Sequence, residues 1–200
     1  MPITAHAQDV STANQLRTIQ NGNKITNYDA QGNVKNYIID GGNKLTRYDA
    51  KGNVIEYAIN FGNVVRTYDA KGNLKVKTVY GLNRITNYDA KDKIIDYTVY
   101  IGSNITKYDS EGKIISKATF LGTTITKYDA NGKMAGSTVY AGNAVKKYDS
   151  KNNLTNWSAN NLGNKTVNYT DKKYLEQTTD KELKDYFFHG YFVNEDGYLY

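Results

Sequence analysis

Apolar and polar positions along the chain repeat with a period of twenty residues. Tyr-Asp recurs at 28, 48, 68, 88, 108, 128 and 148, and a fixed period of this length marks a repeat architecture. With that tyrosine as position one, the unit reads Tyr-Asp-(Ala/Ser)-x-Gly-(Asn/Lys)-apolar. A mixed run follows, then Gly near the fifteenth position, an apolar residue at the eighteenth and often Thr at the nineteenth. Runs such as Val54-Ile55-Glu56-Tyr57-Ala58-Ile59 and Val64-Val65-Arg66-Thr67-Tyr68 are rich in strand formers. Asp49-Ala50-Lys51-Gly52 is turn chemistry: the aspartate caps, and the glycine takes the left-handed position of a type I turn with a G1 bulge. Asp92 and Asn152 replace that glycine in two units, and both residue types tolerate the left-handed region. A second turn falls at Asn60-Phe61-Gly62-Asn63. Two strands and two turns use up twenty positions and leave no room for a crossover helix, so the spacing predicts an antiparallel meander.

Pairing across the Asp turn places the repeat tyrosine opposite the apolar seventh position (Val34, Val54, Leu74, Ile94, Ile114, Met134, Leu154). Both then share a face with Thr26, Thr46, Thr86, Thr106 and Thr126. Simple alternation puts the eighteenth position (Leu45, Val65, Ile85, Ile105, Ile125, Val145) on the other face with the twelfth (Ile39, Ile59, Val79, Val99, Val139). Apolar columns on both faces predict that the hairpins either stack into a solenoid or close into a barrel or sandwich.

The register extends past the seven units. Gly22-Asn23-Lys24-Ile25-Thr26-Asn27 is a half unit before Tyr28, and Gly163-Asn164-Lys165-Thr166-Val167-Asn168-Tyr169 supplies another first strand. The expected organisation is an N-terminal segment over 1–20, partly disordered or a cap, a hairpin array over 21–170 and a cap over 171–200. In that cap, Thr179-Asp180-Lys181-Glu182 is a capping box for a short helix at about 180–188. A last hairpin turns at Asn194-Glu195-Asp196-Gly197.

Composition agrees with this vocabulary, since Asn, Thr, Tyr and Gly fill 80 of the 200 positions. The formal charge of +6 is uneven. Residues 21–170 hold 21 basic against 12 acidic residues, while 171–200 hold 4 against 7. A cationic array seeks anionic polymers. There is no cysteine, hence neither disulfide nor thiolate metal site, and no apolar run reaches the length of a membrane-spanning helix. Ala5-His6-Ala7 fits the small-x-small pattern that precedes a signal cleavage. That points to a secreted protein whose leader has been trimmed, with a cytoplasmic N-terminal segment as the alternative.

The Tyr-Asp-Ala-x-Gly-Asn-apolar core resembles the YD repeats of bacterial surface and toxin-shell proteins, which fold as long antiparallel β-sheets. Thr26, Thr46, Thr86, Thr106 and Thr126 stand where that family usually has a second aromatic. The closing Tyr191-Phe192-Val193-Asn194-Glu195-Asp196-Gly197 is similar to the hairpin repeats of glucan-binding and choline-binding cell-wall modules. Their paired Trp-Tyr aromatics are missing from the array, which holds a single tryptophan, Trp157. Both resemblances imply an extracellular, surface-associated, non-enzymatic repeat protein.

Candidate chemistry centres on the aromatics. Tyr28, Tyr48, Tyr68, Tyr88, Tyr108, Tyr128 and Tyr148 recur every second strand, roughly 9–10 Å apart in a flat sheet. Rings edged by Asn, Thr and Lys suit stacking of a polysaccharide, and equally suit cross-strand packing. Tyr80, Tyr100, Phe120 and Tyr140 occur only from the third unit to the sixth, a pattern that fits a local binding patch. The Asp turns lack the acidic density of calcium loops. Carboxylates elsewhere (Asp40, Glu56, Asp96, Glu176) are scattered singly, and no catalytic or metal-ligand spacing appears. The expected protein is therefore non-enzymatic, without cofactor or metal. It is secreted or bound at the cell surface and recognises carbohydrate or an anionic cell-wall polymer through these tyrosines, the second aromatic set and Trp157. The alternative is a structural protein that self-associates through its end strands into fibres or a surface layer. Nucleic-acid binding is disfavoured by the weak clustering of lysines.

Overall fold

The computed structural model describes residues 17–161, 164–171 and 173–174. Sixteen strands follow one another in chain order. The first eight are β1 (Arg17–Asn21), β2 (Lys24–Tyr28), β3 (Val34–Asp40), β4 (Lys44–Asp49), β5 (Val54–Asn60), β6 (Val64–Asp69), β7 (Leu74–Tyr80) and β8 (Arg84–Asp89). The second eight are β9 (Ile94–Ile101), β10 (Asn104–Asp109), β11 (Ile114–Leu121), β12 (Thr124–Asp129), β13 (Met134–Ala141), β14 (Ala144–Asp149), β15 (Leu154–Asn161) and β16 (Asn164–Tyr169). Each pairs antiparallel with its sequence neighbours, and β1 pairs with β16 from Arg17↔Asn168 to Asn21↔Asn164. The sheet is therefore a closed barrel, and the solenoid is ruled out. Its wall begins at Arg17, ahead of the expected start at 21. The edges on which end-to-end association would rely are joined to each other. The capping-box helix at 180–188 and the final hairpin lie outside the described residues, as does the Ala5-His6-Ala7 segment.

Each Asp turn forms as its residues require. At the second, the Gly52 N–H donates to Asp49 O at 3.2 Å, the Asp49 N–H donates to Asn53 O at 2.9 Å, and Gly52 sits at φ +89°. The two replacements are also left-handed, Asp92 at +62° and Asn152 at +63°.

A β-bulge follows every Asp turn and changes the facing. Tyr48 pairs with Val54, but Arg47 pairs with Glu56, so Ile55 is the extra residue. The same shift recurs in the other six units, with Lys35, Lys75, Ile95, Ile115, Ala135 and Thr155 as the extra residues. Tyrosine, seventh position and nineteenth-position threonine do share the outer face. The twelfth position, expected opposite them, is turned outward as well, because one inserted residue inverts everything after it. The eleventh position takes its place inside. Ile38, Ala58, Thr78, Ala118 and Thr138 are buried there beside Leu45, Val65, Ile105 and Ile125. Bulges increase local twist, and seven at equal intervals coil the sheet until its ends meet.

The inner face has two apolar clusters. One joins Ile38, Leu45, Ala58, Val65 and Tyr80, and the other joins Ile105, Ala118 and Ile125. A polar layer runs beside them. Thr18 donates to Asn27 at 2.9 Å and Asn27 to Asn36 at 2.7 Å. Arg47 meets Glu56 at 2.7 Å, and Glu56 also holds Lys75 at 2.6 Å. Thr78 donates to Asn87, Asn87 to Asp96, and Asp96 holds Lys107 at 3.1 Å. Buried polar groups are tolerable when they satisfy one another in this way.

Candidate ligand-binding surface

All seven repeat tyrosines stand on the outer face, each half-buried. Their surroundings change along the wall. In the first part, a second tyrosine at position ten lies directly across the strand pair: Tyr37 on Tyr48, Tyr57 on Tyr68 and Tyr97 on Tyr108. Each pair is stacked with centroids 5.0 Å apart. A cation covers the far side of the position-ten ring: Lys24 over Tyr37 at 4.3 Å, Lys44 over Tyr57 at 4.5 Å and Arg84 over Tyr97 at 3.9 Å. Arg17 covers Tyr28, and Lys77 covers Tyr88. These cation–ring–ring sandwiches use the faces a sugar would stack on, so they hold the wall together.

Further along the ladder stops. Position ten is Lys117 opposite Tyr128, Ser137 opposite Tyr148, and Trp157 opposite Lys146. Among the described residues no ring stacks on Tyr128 or Tyr148 and no cation covers them, and Trp157 is 43% exposed. Tyr128, Tyr148 and Trp157, interleaved with Lys117, Ser137 and Lys146, form an outward aromatic and cationic surface over β11–β15.

The second aromatic set points the other way. Tyr80, Tyr100, Phe120 and Tyr140 pair with Ile85, Ile105, Ile125 and Val145, the inward eighteenth position. Tyr80 belongs to the first apolar cluster, while Tyr100, Phe120 and Tyr140 pack against the second. The core, and not an outer patch, takes up these four rings.

The sequence matches no family model and no curated protein. Among solved structures the chain is similar to a protein from Arabidopsis thaliana, with a TM-score of 0.35 and 9% identity over 61% of this chain and 84% of that one. It is also similar to the WD40 domain of Neurospora crassa Pan2, with a TM-score of 0.38 and 9% identity over 80% of this chain and 87% of that one. At TM-scores below 0.5 neither likeness bears on fold or function.

The turn aspartates are occupied by their own turns. Asp49 Oδ1 accepts the N–H groups of Lys51 and Asn53 at 2.9 and 2.8 Å, and Oδ2 accepts the Asn53 side-chain amide at 2.8 Å. The Asn53 amide is the largest influence holding the Asp49 carboxyl below its ordinary range, as Asn73 is for Asp69. Backbone N–H groups lead at Asp89, from Lys93, and at Asp149, from Asn153. Among the described residues no three His, Cys, Asp or Glu side chains gather as a metal site.

The sequence pattern left two features unnoticed. One is the cation at position seventeen that caps the position-ten tyrosine; Lys24, Lys44 and Arg84 coincide with Tyr37, Tyr57 and Tyr97, and that coincidence was the available signal. The other lies at the turns opposite the aspartates. There Phe61, Leu82, Ile101 and Leu121 are 52, 90, 71 and 80% exposed.

Proposed function

We propose that this protein is a non-enzymatic binding module, secreted or held at a cell surface. It recognises carbohydrate or an anionic cell-wall polymer through the outer face of β11–β15. The observation that supports this reading is the exposed Trp157 beside Tyr148 and Lys146, in the stretch of wall where the tyrosine sandwiches give out. An aromatic face with adjacent ammonium groups can stack on a sugar ring and neutralise a phosphate or carboxylate on the same chain.

Trp157 is the single tryptophan, so its emission reports the site directly. Titrating the full chain with a soluble neutral glucan and, separately, with poly(glycerol phosphate) should give a saturable shift with at least one. Trp157→Ala and Tyr148→Ala, read by calorimetry, should each weaken binding about tenfold, a loss of ~1.4 kcal/mol. Tyr48→Ala, inside a sandwich, should leave affinity unchanged. Absence of a saturable response to either polymer, or equal losses in all three variants, defeats the proposal.

A further inference from the structure

We propose that the barrel docks on an anionic lipid surface through the rim opposite the Asp turns. From 61 to 143 the tips of that rim are residues 61–63, 81–83, 101–103, 121–123 and 141–143, and these five contain no charged residue. Four consecutive tips carry one large apolar side chain each, Phe61, Leu82, Ile101 and Leu121, all more than half exposed. Successive tips are two strands apart, roughly 10 Å along the rim. The four knobs therefore form one arc, an exposed apolar array of the kind that marks an interaction surface.

The fold does not ask for these residues. Gly62, Gly102 and Gly122, at φ +76°, +57° and +60°, set the backbone of the turns that carry Phe61, Ile101 and Leu121, and at the remaining tip Leu82 itself stands where the other units have that glycine. The neighbouring tip side chain is thereby free to be polar, as loop residues usually are.

Charge identifies the partner. Across 59–66, 79–86, 99–106, 119–126 and 139–146 the charged residues are Arg66, Arg84 and Lys146; Asp40, at the tip before this arc, is an acidic residue of the same rim, and its carboxylate accepts the Gly42 N–H at 2.7 Å. Arg66 lies over the Phe61 ring at 5.2 Å, which places a guanidinium directly behind an apolar tip. Anionic headgroups above acyl chains match apolar tips backed by cations. A second copy of the chain, meeting rim to rim across a two-fold axis, would set the same cations against each other. Docking rather than spanning follows from the outer wall. Lys24, Lys44, Arg66, Lys77, Arg84, Lys117 and Lys146 face outward there and deny it the apolar band of a membrane-spanning barrel.

The test is flotation of the full chain with phosphatidylcholine vesicles, with and without phosphatidylglycerol. The chain should float with the anionic vesicles, and Leu82→Ser combined with Leu121→Ser should cut the bound fraction about tenfold or more without moving the melting temperature. Arg84→Gln should weaken the preference for phosphatidylglycerol. Trp157 emission should stay constant throughout, since that ring lies in the wall away from the tips, so this result stands or falls apart from the polymer titration. No flotation overturns the proposal, as does flotation indifferent to the leucine pair. A concentration-dependent dimer abolished by the same pair, in the absence of flotation, overturns it in favour of a second copy.

Discussion

Both rims of this barrel reverse the chain in short turns, yet one is charged at every tip and the other at none from 61 to 143. The cause lies in which atoms fix each turn. On the Asp rim a side chain does it: each aspartate gathers two N–H groups, as Asp69 gathers those of Lys71 and Asn73, both at 2.9 Å. That rim is charged because its geometry is written in carboxylates. On the opposite rim a left-handed glycine does it at Gly62, Gly102, Gly122 and Gly142, and the remaining tip residue is left to other demands. Sequence features that a fold requires carry little information about function, whereas those it leaves free carry more. Tyr-Asp-x-x-Gly is of the first kind, and Phe61, Leu82, Ile101 and Leu121 are of the second.

Backbone conformation is the one demand both rims share, and breaking it gives the largest effect. Gly72 sits at φ +87° on the Asp rim and Gly122 at +60° on the other. Gly72→Val and Gly122→Val should each destabilise by about 2 kcal/mol, because a β-branched residue resists the left-handed region. Urea unfolding of both variants reads this. A marked inequality between them would mean that one turn re-forms in another conformation and that the shared demand is not real.

Acid separates the rims next. Asp29, Asp49, Asp69, Asp89 and Asp149 are held below the ordinary carboxylate range in the folded chain. A lowered folded value means that the unfolded chain binds protons first. The stability these groups lend is thus complete above about pH 4, their unfolded range, and drains away as pH falls through the folded values. The Leu82→Ser, Leu121→Ser variant should lose stability with acid in parallel with the wild type, since neither substitution adds or removes a titratable group. Asp49→Asn and Asp69→Asn together should flatten the acid limb. An unchanged limb in that variant would show that the turn carboxylates are not its source.

The Asp rim was legible in the sequence down to the left-handed Asp92 and Asn152, because turn chemistry is local and repeated seven times. The outward face of the tyrosines was legible for the same reason, since Tyr48 opposite Val54 follows directly from the turn. The inversion beyond the bulge was not. Lys35, Ile55, Lys75, Ile95, Ile115, Ala135 and Thr155 have no common character, so alternation carried the twelfth position to the wrong side. Closure depends on twist summed over sixteen strands and on Arg17–Asn21 meeting Asn164–Asn168, which no local pattern contains. The candidate surface was half legible. Tyrosine at position one is visible in every unit, but whether its face is free is decided by position ten on the preceding strand, where Tyr37, Tyr57 and Tyr97 cover it and Ser137 does not.

The smallest effect tests whether the fold tolerates side chains on the Asp rim for a reason. Asp92 at φ +62° and Asn152 at +63° occupy the place of the turn glycine, at a modest steric cost that glycine avoids. Against that, glycine gives the unfolded chain more freedom to lose. For Asn152 no side-chain hydrogen bond is recorded among the described residues, so Asn152→Gly should stabilise by about 0.5 kcal/mol. Asp92 differs, because it receives the Lys77 ammonium at 2.5 Å in a contact that is largely exposed on the aspartate side. Exposed pairs contribute little, but here that little offsets the steric relief, so Asp92→Gly should lie within about 0.5 kcal/mol of the wild type. Chemical denaturation at low and high salt separates the two. Added salt should bring the Asp92 variant up towards the gain seen at Asn152, and a gap that salt leaves untouched would mean that the Lys77 contact plays no part.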